Sequence, residues 1–198
     1  MTEYNPDTSL VRCGWSMEPT ILVSYHDMEW GKPIHDDRLL FEGIALDGMQ
    51  AGLSWLTILR KRENFRRTFD GFQPERVAAY GEAKVQELLQ DAGIIRNRMK
   101  INAIIHNAAI TLEIQKEFGS LDAYLWGFVD GKPIHNRWDS MAQVPARTEL
   151  SDRVSKDMIQ RGFKFCGSTI IYAFMQAAGF VNDHAITCFR YAQLMENR

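Results

Sequence analysis

Along the 198 residues the hydrophobic positions recur at helical spacing almost everywhere and alternate almost nowhere, which confines the chain to folds made of helices packed on one another. In segment 37–48, Leu40, Ile44 and Asp47 fall at i, i+4 and i+7, with Asp36 and Asp37 placed to cap the start. The same reasoning predicts helices over 53–68, over 74–80 opened by Pro74, and over 82–90, 98–118, 120–129, 149–161 and 167–179. Glycines at 71, 81, 93, 119, 162 and 179 stand where these runs stop. The only strand-like piece, near Lys132 to Ile134, is short and holds Pro133. The expected fold class is all-α, a compact helical array with short connections.

No repeat and no linker-like composition divides the chain. It reads as a loose N-terminal arm over 1–10, one domain of two helical lobes over 11–190, and a C-terminal tail over 191–198. With 45% hydrophobic and 24% charged residues it buries a core, and a net charge of −2 excludes coating of nucleic acid by bulk electrostatics. Any polyanion site must be local. The uncharged stretch from Phe165 to Asn182 is broken by Ser168, Thr169, Gln176 and Asn182, so it reads as a buried helix and no membrane contact is expected. The start of the chain lacks a basic and apolar leader, and three widely spaced cysteines do not suit a disulfide framework. Both point to a reducing, cytoplasmic setting.

Cys13, His26, His184 and Cys188 are the candidate metal ligands. His184 and Cys188 face the same side if their segment is one helical turn, and with Cys13 and His26 they would close a tetrahedral Cys2His2 site joining the two ends of the chain. Spacing alone leaves the other reading open, that the thiols and imidazoles are ordinary core residues. The acid of a catalytic His-Glu-x-x-His helix is absent, so a metal here would be structural.

Trp15, Tyr25, Trp30 and Trp55 cluster in the first third, two of them bordering those ligands. Aromatic faces stack on flat π systems and hold a flat cation more strongly, by about 0.5–2 kcal/mol per contact. Asp47 opens a glycine-bracketed stretch, Gly48 to Trp55, in which Gln50 and Leu53 have the size to fill the gap left by a flipped nucleotide. Taken singly, Trp and Leu mostly build cores, and an Asp most often caps a helix.

The run Arg60 to Arg67 reads as a solvated helix face. In 91–100 a short turn with Gly93 joins two predicted helices, and Arg96, Arg98 and Lys100 add charge. That is the pattern of a helix–hairpin–helix holding a DNA phosphate on backbone amides, or of a plain αα turn with a glycine cap.

Arg-Cys-Gly-Trp (12–15), Tyr-His-Asp-Met-Glu-Trp-Gly (25–31), Gln-Ala-Gly-Leu-Ser-Trp (50–55), Gly-Ile-Ile-Arg-Asn-Arg (93–98), Arg-Gly-Phe-Lys-Phe (161–165) and Asn-Asp-His (182–184) together resemble the 3-methyladenine DNA glycosylase I family, over about residues 12–188. The resemblance implies the helix–hairpin–helix glycosylase fold with a hairpin near 91–98. It also implies action on double-stranded DNA carrying alkylated bases, and hydrolysis of the N-glycosidic bond of 3-methyladenine without lyase activity; a monomer is expected. Residue by residue, it implies structural zinc on Cys13, His26, His184 and Cys188, an aromatic pocket of Trp15, Tyr25, Trp30 and Trp55, a base-recognising catalytic acid at Asp47, and a DNA plug at Gln50 and Leu53. The family pattern commonly has Glu at position 47, often Tyr at 22 and frequently a polar residue at 49, where this chain has Asp47, Leu22 and Met49, and all three are expected in or near the pocket. Those departures keep two alternatives in play, a non-catalytic binder of alkylated DNA and a glycosylase for a different modified base.

Overall fold

The computed structural model describes residues 4–196. Its helices are α1 Thr20–Met28, α2 Asp37–Gln50, α3 Trp55–Thr68, α4 Pro74–Ala78, α5 Glu82–Gln90, α6 Arg98–Phe118, α7 Leu121–Trp126, α8 Glu149–Gln160, α9 Ser168–Ala177 and α10 Phe189–Glu196. Every helix expected from 37 onward is present, because its start and stop chemistry is local. The Asp36 carboxylate accepts the Leu39 N–H at 2.8 Å, and Asn97, Ser120 and Thr148 cap α6, α7 and α8 in the same way. Gly119 ends α6 at φ +87°.

Both ends of the chain differ from expectation. Helix α1 escapes the hydrophobic pattern because half of its buried face, His26 and Asp27, is polar. The expected tail is largely α10, with residues 197 and 198 outside the described range. The arm over 4–12 forms no helix or strand, yet it is tied down: Tyr4 Oη donates to Asp27, and the Arg12 guanidinium forks onto the same carboxylate at 2.7–3.0 Å. Residues 1–3 of that arm lie outside the described range.

Helix α2 is the centre of the fold and packs against α3, α6, α7 and α9. Two glycines inside it serve close approach and do not end it. A Cβ on Gly43 would lie 2.9 Å from the Phe174 ring of α9, and one on Gly48 would lie 3.4 Å from Phe165 Cβ. The helix therefore runs through Gln50, and the loop expected from Gly48 begins only at Ala51. Around α2 lies the main core, from Leu40 to Val181. A second, smaller cluster holds Cys13, Tyr25, Trp30, Leu59, Ala185 and Cys188 at the meeting of the chain ends, and Trp55 packs against both.

The short strand appears as β1 Ile134–His135, paired in parallel with β2 Val181–Asn182, in the register Ile134 to Val181. It fastens the 132–138 segment beside His184. No described helix is long and apolar enough to cross a membrane, and the uncharged stretch is α9, as expected of a buried helix.

Candidate active site

The four expected ligands converge. Cys13 Sγ, His26 Nε2, His184 Nδ1 and Cys188 Sγ all lie within 4.8 Å of one another, and all four residues are buried. Their sulfur–nitrogen separations are 3.4 Å (Cys188 to His26), 3.5 Å (Cys188 to His184) and 3.6 Å (Cys13 to His184). A tetrahedral ion with bonds of about 2.3 Å to sulfur and 2.0–2.1 Å to nitrogen would set them about 3.6 Å apart, so the donor set fits such an ion without rearrangement. The outer ring nitrogens are already committed. His26 Nδ1–H donates to Asp27 Oδ1 at 2.7 Å and His184 Nε2–H to the Trp30 carbonyl at 3.2 Å, which leaves the inner nitrogens as lone-pair donors.

The metal-free electrostatics agree. The hydrogen bond with Cys13 holds the Cys188 thiol far below its usual range, while Cys13, paired to Cys188 and buried, is pushed far above. His184 and Cys188 do not sit on an α-helical turn as expected. The segment is a tight turn closed by Cys188 N–H to the Ala185 carbonyl at 2.8 Å, and it still brings the two side chains together.

Next to this cluster the four aromatics meet. Trp15 stands edge-on to Trp30 with ring centroids 5.1 Å apart, Trp15 and Tyr25 lie 6.3 Å apart, and Tyr25 and Trp55 5.4 Å apart. The ligand rings buttress them: His184 packs edge-on to Trp30 at 4.5 Å and His26 to Trp15 at 5.5 Å. Between this group and α9 is a cavity of about 550 Å³ whose walls include Trp15, Tyr25, Trp30, Trp55, Asp47 and Gln50. Sequence reasoning placed five of the six there and gave Gln50 to the plug instead. It missed the opposite wall, made by Met141, Val144, Pro145 and Ala146 and by Thr169, Tyr172 and Gln176 of α9. A signal existed in α9, since Thr169 and Gln176 are the polar breaks in an apolar run. Irregular segment 141–146 carried none. Two expected neighbours are absent from the cavity wall: Met49 is fully buried in the main core, and Leu22 packs into the smaller cluster.

Two polar atoms in this wall stand out among the described residues. Asp47 Oδ2 and Trp55 Nε1 are buried with no hydrogen bond of good geometry, one able to accept and the other able only to donate, although the indole lies close enough to the Tyr25 oxygen to favour the ionised form of that phenol. Burial pushes the Asp47 carboxyl up to about 8. It also pushes the Tyr25 phenol far above its usual range, helped by the nearby Asp47 and Glu29 carboxylates.

The expected plug follows α2. Ala51 (φ −45°, ψ 117°) and Gly52 (φ +77°) form a type II turn closed by Leu53 N–H to the Gln50 carbonyl at 2.6 Å, a turn that needs glycine at its third position. It leaves Leu53 exposed beside the cavity mouth. The expected hairpin is α5, the turn 91–97 and α6. Arg96 and Arg98 are exposed there, Arg98 pairing with Glu82 at 2.8 Å. Two of its residues do not act as expected. The Gly93 N–H is taken by Asp91 Oδ1 at 2.6 Å, so it is not free for a phosphate. Lys100 is a buried residue, not a surface cation, because its ammonium is held by the Met49 and Ala51 carbonyls at 2.8 and 2.6 Å.

Comparison with known proteins agrees with this geometry. The family model described as methyladenine glycosylase matches residues 15–191. The chain is 48% identical to DNA-3-methyladenine glycosylase 1 of Escherichia coli (strain K12), covering 91% of this chain and 96% of that protein. A crystal structure of 3-methyladenine DNA glycosylase I superposes with a TM-score of 0.88 at 49% identity, covering 90% of this chain and 98% of that one. A Tyr-to-Phe variant of 3-methyladenine DNA glycosylase I, solved in complex with 3-methyladenine, superposes with a TM-score of 0.87 at 34% identity over 90% and 96% of the two chains. The chain belongs to the methyladenine glycosylase family.

Proposed function

We propose that this protein is a DNA glycosylase of base-excision repair that flips 3-methyladenine out of the duplex and hydrolyses its N-glycosidic bond. The observation that carries this reading is the pair of unsatisfied atoms in the aromatic cavity. A buried acceptor at Asp47 and a buried donor at Trp55 each lack a hydrogen bond of good geometry, and an adenine edge offers an N6–H donor beside a ring-nitrogen acceptor. A buried group of this kind without a partner costs roughly 1–3 kcal/mol, so pairing with such an edge is favourable for both atoms.

The lesion brings much of the reactivity. Methylation at N3 makes the nucleoside's purine cationic and weakens the bond to the sugar. A cation opposite Asp47 favours the ionised carboxylate, which accepts from the base while the four aromatics stack on it. As the bond breaks, the purine leaves neutral and water takes its place on the sugar. No lysine lines the cavity among the described residues, which supports simple hydrolysis over a Schiff-base route.

The helix–hairpin–helix role of α5, 91–97 and α6 rests on Arg96 and on the first-turn amides of Arg98 and Met99, which precede the intrahelical bonding of α6. Gln50 and Leu53 fill the gap left in the duplex. The four buried donors are the seat of a structural zinc. With four protein donors such an ion would keep no open position, so it would supply folding energy and brace Trp15 and Trp30.

The test is incubation with methylated duplex DNA. Free 3-methyladenine should appear, and borohydride should trap no protein–DNA adduct. Tight binding without base release would make the protein a damage binder, and a trapped adduct would make it a lyase.

A further inference from the structure

Lys100 is the group that joins the DNA-gripping hairpin to the plug. It sits in the first turn of α6, the helix that leaves the hairpin, and its ammonium reaches across to α2, where it holds the Met49 and Ala51 carbonyls. These bonds do more than cap a helix. A type II turn differs from a type I turn in the orientation of its middle peptide, here Ala51–Gly52. The Ala51 carbonyl is the oxygen of that peptide, and Lys100 holds it inward at 2.6 Å. Because a trans peptide points C=O and N–H in opposite directions, fixing that oxygen turns the Gly52 N–H outward and sets how Leu53 projects.

A second link runs beside the first. Lys61 of α3, the helix that follows the plug, donates to the Ala92 carbonyl in the hairpin turn at 2.7 Å. The plug is thus tied to the hairpin on both flanks. The Lys100 link is the buried one, with its charge set against the negative end of α2.

We propose that Lys100 is a positioning residue for base flipping, holding the Gln50–Leu53 turn in the orientation that fills the duplex while the hairpin grips the backbone. This rests on the reading of Gln50 and Leu53 as the plug. It predicts a defect confined to duplex DNA, because the base cavity does not contain Lys100.

The experiment pairs single-turnover release of 3-methyladenine from duplex DNA with the affinity for the free base, read by tryptophan fluorescence. Lys100→Met should lower the duplex rate at least tenfold and leave free-base affinity within twofold. Lys100→Gln, which keeps a shorter donor, should fall between and serves if the Met variant does not fold. In a cycle with Leu53→Ala the double variant should lose less than the two single losses combined, since both changes act on the same turn. Wild-type duplex rates in Lys100→Met beside a slow Leu53→Ala would overturn the role of Lys100 alone. So would parallel loss of duplex rate and free-base affinity, or losses that add. An unaffected Leu53→Ala would overturn the plug reading and this role with it.

Discussion

Replacing Asp47 by Asn should stabilise the unliganded protein, and the gain should grow with pH. Asp47 is 4% exposed, its Oδ2 has no partner, and burial raises its carboxyl from 3.8 to about 8. Between those values the folded protein keeps a proton that the unfolded chain has released. Stability therefore falls as pH rises, by 2.3RT per unit for one proton, and levels off above 8. At pH 7 the accumulated cost is about 4 kcal/mol, taken from the size of the shift. In a chain of this length each kcal/mol moves Tm by roughly 2–4 °C, so a difference on the order of 10 °C is expected at neutral pH. The buried amide of Asn adds an offset of its own, but that offset does not change with pH. The informative quantity is thus the slope. Melting curves of wild type and Asp47→Asn from pH 4 to 9 should diverge up to pH 8 and then run parallel. Curves parallel throughout would refute the buried, unpaired state of Asp47. Excision of the lesion should be lost in the same variant, so stability and function exchange at this one residue.

Two further perturbations test the frame around the site. Cys188→Ser removes one of the four donors proposed to hold zinc and should lower both Tm, by about ten degrees or more, and the metal content of the purified protein; equal melting and equal metal content would contradict the structural ion. Gly179→Ala should cost several kcal/mol, because the residue has φ +76° and its Cβ would lie 2.4 Å from the backbone at Lys32 and Pro33; a soluble variant with wild-type Tm would show that this contact can relax.

What could be read from the sequence was local or chemically specific. Asp36 and Gly119 mark helix ends through bonds within a few residues of themselves, and Pro74 through its fixed φ and missing N–H, so their helices were legible. The cysteine and histidine pairs, the tryptophans and Asp47 were legible as chemistry, because few residue types can do what they do. Long-range roles were not. Gly48 looks like the end of a helix until Phe165 is placed against it, and for that reason α2 is longer than its sequence suggests. Helix α1 hides behind the polarity of His26 and Asp27, whose burial depends on partners elsewhere in the chain. Lys100 reads as one more basic residue of a hairpin, and only the arrival of α2 in space turns it inward.

The central claim is that an adenine edge completes the hydrogen bonding of Asp47 and Trp55. Titration of free 3-methyladenine followed by the five indole N–H signals in an NMR spectrum tests it most directly. Trp126 and Trp138 are internal controls, since their indoles already donate to the Ile34 carbonyl and to Asp183 at 2.8 Å each. The Trp55 indole signal, assigned by its loss in Trp55→Phe, should shift most. Trp15 and Trp30 should follow, and Trp126 and Trp138 should stay in place. A saturating titration that leaves Trp55 unmoved, or that moves the two control signals as much, would contradict it.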